Sequence, residues 1–428
     1  MRNRNEFVQL IDRYRLGQAQ RLSIGSTLSG DFSTLQSTLL LAEGRGKFLR
    51  VRWIEGRQVE IPQAVALACR QATHDPQFPL REFAQLRVDL TRAMATGVNQ
   101  LAGVSGVHAN MLMVVCMDEP GIGIRDYDGS LAWQPFCEPE TLAEITGLTV
   151  VDSLPSRDLA AGGRGGPFAP LPAWLLFADR NSKIAEQPRL LIDLGAWTEL
   201  TWLPESDGLD DDLPAIRFQR LLGTDFEAEL MSLLESEGSI AESIEGQDSA
   251  EPHQGLMDLL SQFEGQNDLN RELANAEKVT ALVHQALNIV TAEQLSPSTV
   301  LCSLAAYLVE AADRFVRKRG STDKMHLVPG GKLVAESRIG ERLNQKFEVP
   351  WLDGQLMNYD AKYLRAITAA ICGLMHVDQM PITIPWISGS EMPRVLGRLT
   401  PGSPAHWRRV IMDMGDCRPP VMKLREAV

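Results

Sequence analysis

The chain has few cysteines and histidines, and neither residue type is spaced as metal or redox sites require. The six cysteines form no CxxC pair, and the seven histidines form no HxH or HxxxH pattern. Structural zinc sites and redox dithiols use such close pairs. The sequence therefore predicts no metal centre and no disulfide framework. Unpaired cysteines are typical of a reducing compartment, so we expect a cytoplasmic protein.

Positive charge and long apolar runs are also scarce. The 42 Lys and Arg residues are outnumbered by 55 Asp and Glu residues, which gives a net charge of −13. Proteins that bind nucleic acid present basic surfaces, so we expect no nucleic-acid partner. No apolar run reaches the roughly 20 residues of a membrane span. The first residues, MRNRNEFVQLIDRYRLGQ, lack the apolar core and cleavage site of a signal peptide and predict a short amphipathic helix.

The length and apolar content suit two domains. The chain has 428 residues, of which 44% are hydrophobic, and a single domain is usually shorter. Strand patterns dominate the first half and helical patterns the second, without a visible internal repeat. We therefore expect an α/β protein with two lobes of mixed sheets flanked by helices around a cleft. The expected parts are an N-terminal helical extension (1–21), an N-terminal lobe (22–206), an acidic linker or insertion (207–275), a C-terminal lobe (276–402) and a C-terminal extension (403–428).

Within the acidic part, residues 237–254 are rich in Glu and Asp and poor in apolar side chains. Such a composition cannot bury enough apolar surface to offset the entropy of ordering. We expect this segment to be flexible.

The most informative stretch is Val150–Phe177, VVDSLPSRDLAAGGRGGPFAPLPAWLLF. Four glycines surround Arg164, and the pair Arg157–Asp158 precedes them. Glycines let the backbone approach a ligand closely, and arginines bind carboxylates and phosphates through charge-assisted hydrogen bonds. A ligand site is one interpretation. A surface loop with solvated charges is the other.

This stretch resembles the sugar-site segment of the anhydro-N-acetylmuramic acid kinases, which reads TVVxDFRxRDxAxGGQGAPLVPxxHxxLF. The elements TVV, RD, A, GG, G, P, P and LF are in register. Four positions depart from the pattern: Ser153 for Asp, Pro155 for the first Arg, Arg164 for Gln and Ala173 for His. The resemblance implies an actin-like, ribonuclease H-like ATPase fold. It also implies a sugar site formed by Arg157, Asp158, Gly163 and Arg164.

Three further segments resemble the family's nucleotide side. Ile24–Leu40 echoes GxMSGTSxDGVDxAL, Leu191–Leu203 matches LNIGGIANLTxL, and His326–Val334 resembles xVCGGGxxN. The resemblance implies ATP and Mg²⁺ as cofactors. The implied nucleotide and phosphate residues are Ser29, Gly30, Asp31, Gly195, Gly330, Gly331 and Lys332. Ordinary turn formers and an exposed lysine are the alternative for these positions.

Several replacements add negative charge where the family has neutral side chains. Asp193 and Glu199 replace two Asn residues, and carboxylates repel phosphate unless a metal ion intervenes. After Cys116, the residues Met117–Pro120 replace the last four residues of the family's CHGQT. The GxGxxD at Gly121 is too short a motif to indicate a dinucleotide site.

The position of the catalytic base is the most consequential departure. Arg217–Leu230, RFQRLLGTDFEAEL, aligns with GFDTGPGNxLMD, and the resemblance implies that the first Asp of that pattern is the general base. Gln219 occupies this position, and an amide does not accept a proton usefully near neutral pH. No catalytic residue is therefore predicted. Asp225 or Glu227 could substitute only if the backbone has moved.

The resemblance spans residues 22–402 and ends with Ser388–Gly402, which matches TGAxxxxVLGxIxPG. Two functions follow. The first is a kinase-like protein of peptidoglycan recycling that binds a sugar or nucleotide, with reduced or lost phosphotransferase activity. The second is an active ATP-dependent kinase of 1,6-anhydro-N-acetylmuramic acid or a related sugar. The expected partner is a small molecule, and a homodimer is left open.

Overall fold

The computed structural model describes residues 20–30, 32–75, 77–105, 111–125, 131–177, 187–204, 215–236, 250–266, 276–318, 325–331, 337–352 and 359–416. Asp31, Lys332, most of the predicted N-terminal extension and residues 237–249 of the acidic segment lie outside these ranges. The chain forms two compact units. Unit 1 comprises Met1–Leu176 and Arg365–Val428, and unit 2 comprises Phe177–Leu364.

Unit 1 is built on a six-stranded mixed sheet in the order β12-β7-β4-β1-β2-β3. A separate hairpin pairs β5 with β6. The strands are β1 (Gln20–Leu28), β2 (Thr34–Glu43), β3 (Arg50–Glu60), β4 (Leu112–Asp118), β5 (Ile122–Arg125), β6 (Leu131–Gln134), β7 (Val150–Asp152) and β12 (Arg398–Thr400). Strands β1 to β3 form an antiparallel meander, and β4 and β7 follow β1 in parallel. This is the ribonuclease H-like order, which confirms the predicted fold class.

The helices of unit 1 cover this sheet. They are α1 (Gln63–His74), α2 (Leu80–Ser105), α3 (Pro139–Thr146), α4 (Leu154–Leu159), α5 (Pro170–Phe177, whose last residue belongs to unit 2), α11 (Leu364–Val377, whose first residue belongs to unit 2), α12 (Pro385–Ser388) and α13 (Pro404–Gly415). Helix α11 lies against β1 and β4 because two glycines leave room for its backbone. A Cβ on Gly25 would lie 1.8 Å from the carbonyl oxygen of Ala366, and one on Gly373 would lie 2.8 Å from the Cβ of Cys116. The Ala- and Ile-rich sequence of α11 is correspondingly buried.

Unit 2 repeats the strand pattern of unit 1. Its strands are β8 (Arg189–Leu194), β9 (Trp197–Leu203), β10 (Arg217–Leu222) and β11 (His326–Gly331), in the order β10-β9-β8-β11. Strands β8 to β10 form an antiparallel meander, and β11 pairs with β8 in parallel. The repeat is one of topology and does not show in the sequence, because different side chains fill the two cores.

Five helices complete unit 2: α6 (Thr224–Ser236), α7 (Gln254–Gln266), α8 (Ala276–Ala292), α9 (Pro297–Arg317) and α10 (Arg338–Phe347). The helical patterns expected in the second half of the chain are confirmed in α8 and α9. By contrast, 207–275 was expected to be a linker or insertion, and it contains β10, α6 and α7. Their apolar residues recur at helical spacing and form one buried cluster with α8 and α9. The expectation of a linker was based on the acidic composition of this segment and did not take the helical spacing of its apolar residues into account.

The compact units also divide the chain differently from the expected lobes. Residues 177–206 fall in unit 2 because β8 and β9 form half of its sheet. The chain returns to unit 1 at Arg365, since α11 packs on β1 and β12 pairs with β7. The predicted C-terminal extension contains α13, whose His406 is buried against β4 and Thr149. In the ranges that the structure describes, every helix is too short or too polar to cross a membrane.

Candidate functional site

The glycine-rich loop of unit 1 joins α4 to α5. Gly162, Gly165 and Gly166 have φ values of 79°, 85° and 143°. Residues other than glycine rarely adopt such positive φ values. The peptide bond between Gly166 and Pro167 is cis. These residues are therefore glycines because the backbone of the loop requires them.

The carboxylate of Asp158 lies inside this loop. The residue is fully buried, and its Oδ2 accepts a hydrogen bond of 2.9 Å from the backbone N–H of Gly165. Gly163 lies directly against it, because a Cβ there would be 2.2 Å from Oδ2. Burial raises the pKa of Asp158, and hydrogen bonds from Gly165 and the Ser388 hydroxyl oppose that rise. Asp158 thus binds the loop that the sequence analysis assigned to the sugar.

The two arginines of the predicted sugar site differ in environment. Arg157 on α4 is exposed, and its side chain forms no ion pair or hydrogen bond with any other residue within the described ranges. Arg164 is half-buried, and its backbone N–H donates to the carbonyl oxygen of Ser388. Its side chain passes over Gly389, where a Cβ would lie 3.1 Å from Nε. The structure therefore brings together Asp158, Gly163 and Arg164, with Arg157 one residue before Asp158.

The contribution of Ser388 and Gly389 was not foreseen. Ser388–Gly402 was expected to be a matched terminal segment without a ligand role. Its first residues contact the glycine loop through the backbone of Arg164. The SGS at its start was the available signal, because small residues permit close backbone approach.

The β1–β2 turn is stabilised by hydrogen bonds between its own residues. The Ser29 hydroxyl accepts a hydrogen bond of 3.0 Å from the backbone N–H of Thr34, and the Ser29 N–H donates to the Thr34 carbonyl oxygen. Gly30 occupies the tip of the turn. Ser29 and Gly30 are neighbours in this turn, and the Ser29 hydroxyl accepts a hydrogen bond within it.

Glycines of unit 2 meet where the parallel strands β8 and β11 end. A Cβ on Gly331, which has a φ of 61°, would lie 2.2 Å from the Leu194 carbonyl oxygen. A Cβ on Gly223 would lie 2.4 Å from the Ala196 carbonyl oxygen. The backbone N–H of Thr224 donates to Gly195. Strand register places Gly330 and Gly331 beside β8, so the structure groups Gly195, Gly330 and Gly331.

Charged side chains cross one face of the unit 2 sheet in a single row. Gly330, Asp193, Glu199 and Arg220 are direct neighbours in strand register, and residues in such register share a face. Arg220 and Glu199 are 2% and 7% exposed, and Arg220 Nη2 lies 2.5 Å from Glu199 Oε1. Arg220 therefore neutralises one of the two carboxylates that were expected to repel phosphate.

Gln219, at the position of the implied base, is bound within unit 2. Its Nε2 lies 2.5 Å from Oε1 of Glu264 on α7. The same carboxylate accepts a hydrogen bond of 2.9 Å from Arg314 on α9. Gln219 shares its strand face with Leu221, which belongs to the core under α9. The amide thus joins β10 to two helices.

Glu119, just after β4, was not singled out as a site residue. It is 7% exposed, and its Oε2 has no hydrogen-bond partner within the described ranges. Burial raises its pKa to about 8, while hydrogen bonds from Cys137 lower it. The sequence signal for this buried carboxyl group was the replacement of the Gln of CHGQT by Glu119.

Across the described residues, no group of three or more His, Cys, Asp and Glu side chains is arranged to hold a metal ion.

Known proteins similar to this chain point to one family. The model of the anhydro-N-acetylmuramic acid kinase family matches residues 42–205. The Nitrosomonas europaea anhydro-N-acetylmuramic acid kinase is 36% identical over 105 residues, which is 24% of this chain and 25% of that protein. The Cupriavidus pinatubonensis enzyme is 27% identical over 316 residues, covering 73% and 81%. The Xanthomonas campestris enzyme is 25% identical over 335 residues, covering 76% and 82%. The chain therefore spans about a quarter of the first relative and four-fifths of the other two.

Solved structures give weaker likenesses. A ROK family glucokinase from Streptomyces griseus has a TM-score of 0.35 at 14% identity, covering 82% of this chain and 98% of that one. Component A of the Acidaminococcus fermentans (R)-2-hydroxyglutaryl-CoA dehydratase has a TM-score of 0.37 at 10% identity, covering 82% and 96%. TM-scores this low do not define a shared fold, so the fold assignment rests on strand order. The chain is therefore similar in sequence to the anhydro-N-acetylmuramic acid kinases, from which it diverges at the positions named above.

Proposed function

We propose that this protein binds a sugar and a nucleotide in the manner of its family and has reduced or lost phosphotransferase activity. The observation that carries the proposal is the bonding of Gln219. Its amide occupies the aligned base position and is bound to Glu264, which also pairs with Arg314. A group that cannot take a proton, and that is fixed by two helices, cannot activate water for opening an anhydro ring.

The sugar-binding part of the proposal rests on the loop between α4 and α5. Arg157 is exposed, and Arg164 is held over Gly389. Two guanidinium groups near one loop suit a ligand that carries a carboxylate, such as the lactyl group of an N-acetylmuramic acid. Asp158 and Gly163 support the loop from within.

The nucleotide part rests on the turns of unit 2. Gly195, Gly330 and Gly331 place backbone close together at the ends of β8 and β11, the edge where ligands of open α/β sheets bind. Glu199 is neutralised by Arg220. Asp193 also lies beside these turns, and a carboxylate suits a phosphate only with a cation between them. We propose that ATP and Mg²⁺ bind at these turns of unit 2.

Bound ATP would supply a phosphoryl group, and Mg²⁺ would neutralise its charge. The residues of this chain contribute binding and orientation to that chemistry. Loss of a general base typically costs about 10²–10⁴-fold in rate. The proposal places the protein in cytoplasmic amino-sugar recycling as a binding protein.

One observation favours an active kinase as the second candidate. The Glu264 carboxylate lies 2.5 Å from the Gln219 amide and is therefore near the aligned base position. Release of Glu264 from Arg314 would provide a proton acceptor there. This candidate predicts turnover that depends on Glu264.

The test is a phosphorylation assay with purified protein, Mg²⁺–ATP and 1,6-anhydro-N-acetylmuramic acid. We expect little or no product from the unaltered chain. Gln219→Asp should restore little, because the family's TGPG turn and CHGQT residues are replaced as well. Robust turnover that Arg157→Ala abolishes would overturn the proposal. Loss of that turnover in Glu264→Gln would establish the second candidate.

A further inference from the structure

Three successive backbone amides of the glycine loop are fixed, two of them by one residue. The N–H of Gly163 donates to the backbone carbonyl oxygen of Asp158, and the N–H of Gly165 donates to its carboxylate, both at 2.9 Å. Between them, the N–H of Arg164 donates to the Ser388 carbonyl oxygen, also at 2.9 Å. The backbone of Arg164 is therefore held on both sides by Asp158.

Fixing this backbone fixes the direction in which the Arg164 side chain leaves it. The side chain then passes over Gly389, where any Cβ would come within 3.1 Å of Nε and 3.4 Å of Cγ. Gly389 has a φ of 79°, so glycine is favoured there on two counts. The loop and α12 together provide a defined path for the guanidinium group.

We infer that Asp158 is a positioning residue, whose buried carboxylate orients Arg164 to recognise an acidic group on the sugar. This inference rests on the proposed function, because it assumes that the loop contacts the ligand. Asp158 is fully buried within the loop and contacts its amides. A free arginine side chain has considerable conformational entropy, which is lost when the side chain is ordered. Ordering it before binding therefore strengthens binding of the carboxylate.

The inference also specifies the class of ligand. A pre-oriented guanidinium discriminates between sugars by their charge. The protein should therefore prefer N-acetylmuramic acid, which has a lactyl carboxylate, over N-acetylglucosamine, which lacks it. The preference should depend on Asp158 even though Asp158 does not contact the sugar.

The experiment compares binding of these two sugars to Asp158→Ala, Asp158→Asn and Arg164→Ala by calorimetry. Asp158→Ala should weaken binding of N-acetylmuramic acid about tenfold and leave N-acetylglucosamine unchanged. Asp158→Asn keeps an oxygen for the Gly165 N–H and should recover most of the affinity. The double variant Asp158→Ala/Arg164→Ala should bind no more weakly than Arg164→Ala, because both act through one guanidinium.

Hydrogen exchange at residues 163–165 provides a readout that needs no sugar. Asp158→Ala should lose protection at Gly165, whose N–H loses its carboxylate acceptor, with the thermal transition of unit 1 retained. Unchanged protection would overturn the positioning role, as would equal losses of affinity for both sugars. If the unaltered protein binds neither sugar while Asp158→Ala still loses protection, the proposed sugar site fails and the loop-fixing role of Asp158 stands.

Discussion

At the residue scale, Glu119 gives the fold a particular response to pH. Its carboxyl group is buried at the end of β4, beside the Cys137 thiol, and one of its oxygens has no partner within the described ranges. Four other groups face it or act on it electrostatically: Cys69 on α1, Arg87 on α2, Cys137 before α3 and Asp152 on β7. Burial dominates and raises the pKa from 4.5 to about 8. At neutral pH the group therefore holds a proton.

Replacing Glu119 with Gln should remove a large part of the pH dependence of stability. Because the folded protein binds this proton more tightly than the unfolded chain, the stabilising contribution is complete below pH 4.5 and is lost as pH rises through 8. A shift of this size corresponds to a few kcal/mol at most. Urea unfolding of the unaltered protein at pH 6 to 9 should show stability falling up to about pH 8 and levelling above it. Glu119→Gln, which restores the family's residue, should flatten the curve.

The matched control for this prediction is Glu138→Gln, since Glu138 is near the same cluster and is half-exposed beside Arg87. Its variant should keep the decline with pH. His406 contributes with the opposite sign. Burial lowers its pKa, so the stability that it provides is lost as pH falls. If the free energy of unfolding of Glu119→Gln falls as steeply between pH 6 and 9 as that of the unaltered protein, Glu119 is not the source of the pH dependence.

At the element scale, two departures from the family pattern on neighbouring strands compensate each other. Glu199 on β9 replaces Asn, and Arg220 on β10 replaces Thr. The two residues are direct partners in the antiparallel ladder, and both are buried. Arg220 also lies 5.9 Å from the ring of Trp197 and 5.8 Å from that of Phe218. A buried charge without its partner is strongly unfavourable, so each replacement requires the other.

The pair predicts a non-additive double-mutant cycle. Arg220→Thr alone leaves Glu199 buried without its guanidinium and should lower the free energy of unfolding by about 3–5 kcal/mol. Glu199→Asn alone should cost a similar amount. The double variant, which restores both family residues, should lose far less than the sum. Urea unfolding measures all three, with the exposed Arg217→Thr on the same strand as a neutral control. Additive losses would contradict the coupling.

The partners of Gln219 and Asp158 show which features of the candidate site the sequence could predict and which it could not. The strands β8 and β9 follow from periodicity, and the position of Gln219 follows from alignment with the family pattern. The partner of Gln219 is Glu264, 45 residues later, in a segment expected to be a linker or insertion. Asp158 was assigned to the ligand because an Arg–Asp pair near glycines suggests binding. Its burial depends on loop conformation, which single-residue preferences do not determine.

At the scale of the whole molecule, the two units differ in how the chain builds them. Unit 2 is a single continuous segment, Phe177–Leu364, with its own sheet and two core clusters. Unit 1 is formed by two separate segments of the chain, because α11 and β12 come from the second segment, Arg365–Val428. Helix α11 is buried along most of its length against the sheet. This asymmetry predicts different behaviour for the isolated segments.

A fragment of residues 177–364 should fold by itself, whereas residues 1–176 should not. Without α11, the β1 and β4 surfaces around Gly25 and Cys116 lose their apolar cover, and burial at about 25 cal/mol per Å² supplies most of the folding free energy. Circular dichroism with urea titration should show a cooperative transition for 177–364 and none for 1–176. Adding residues 365–428 to the 1–176 fragment, on a separate chain or through a linker, should restore the transition. Cooperative unfolding of 1–176 alone, at the stability of the rejoined fragments, would show that α11 is dispensable for the core of unit 1.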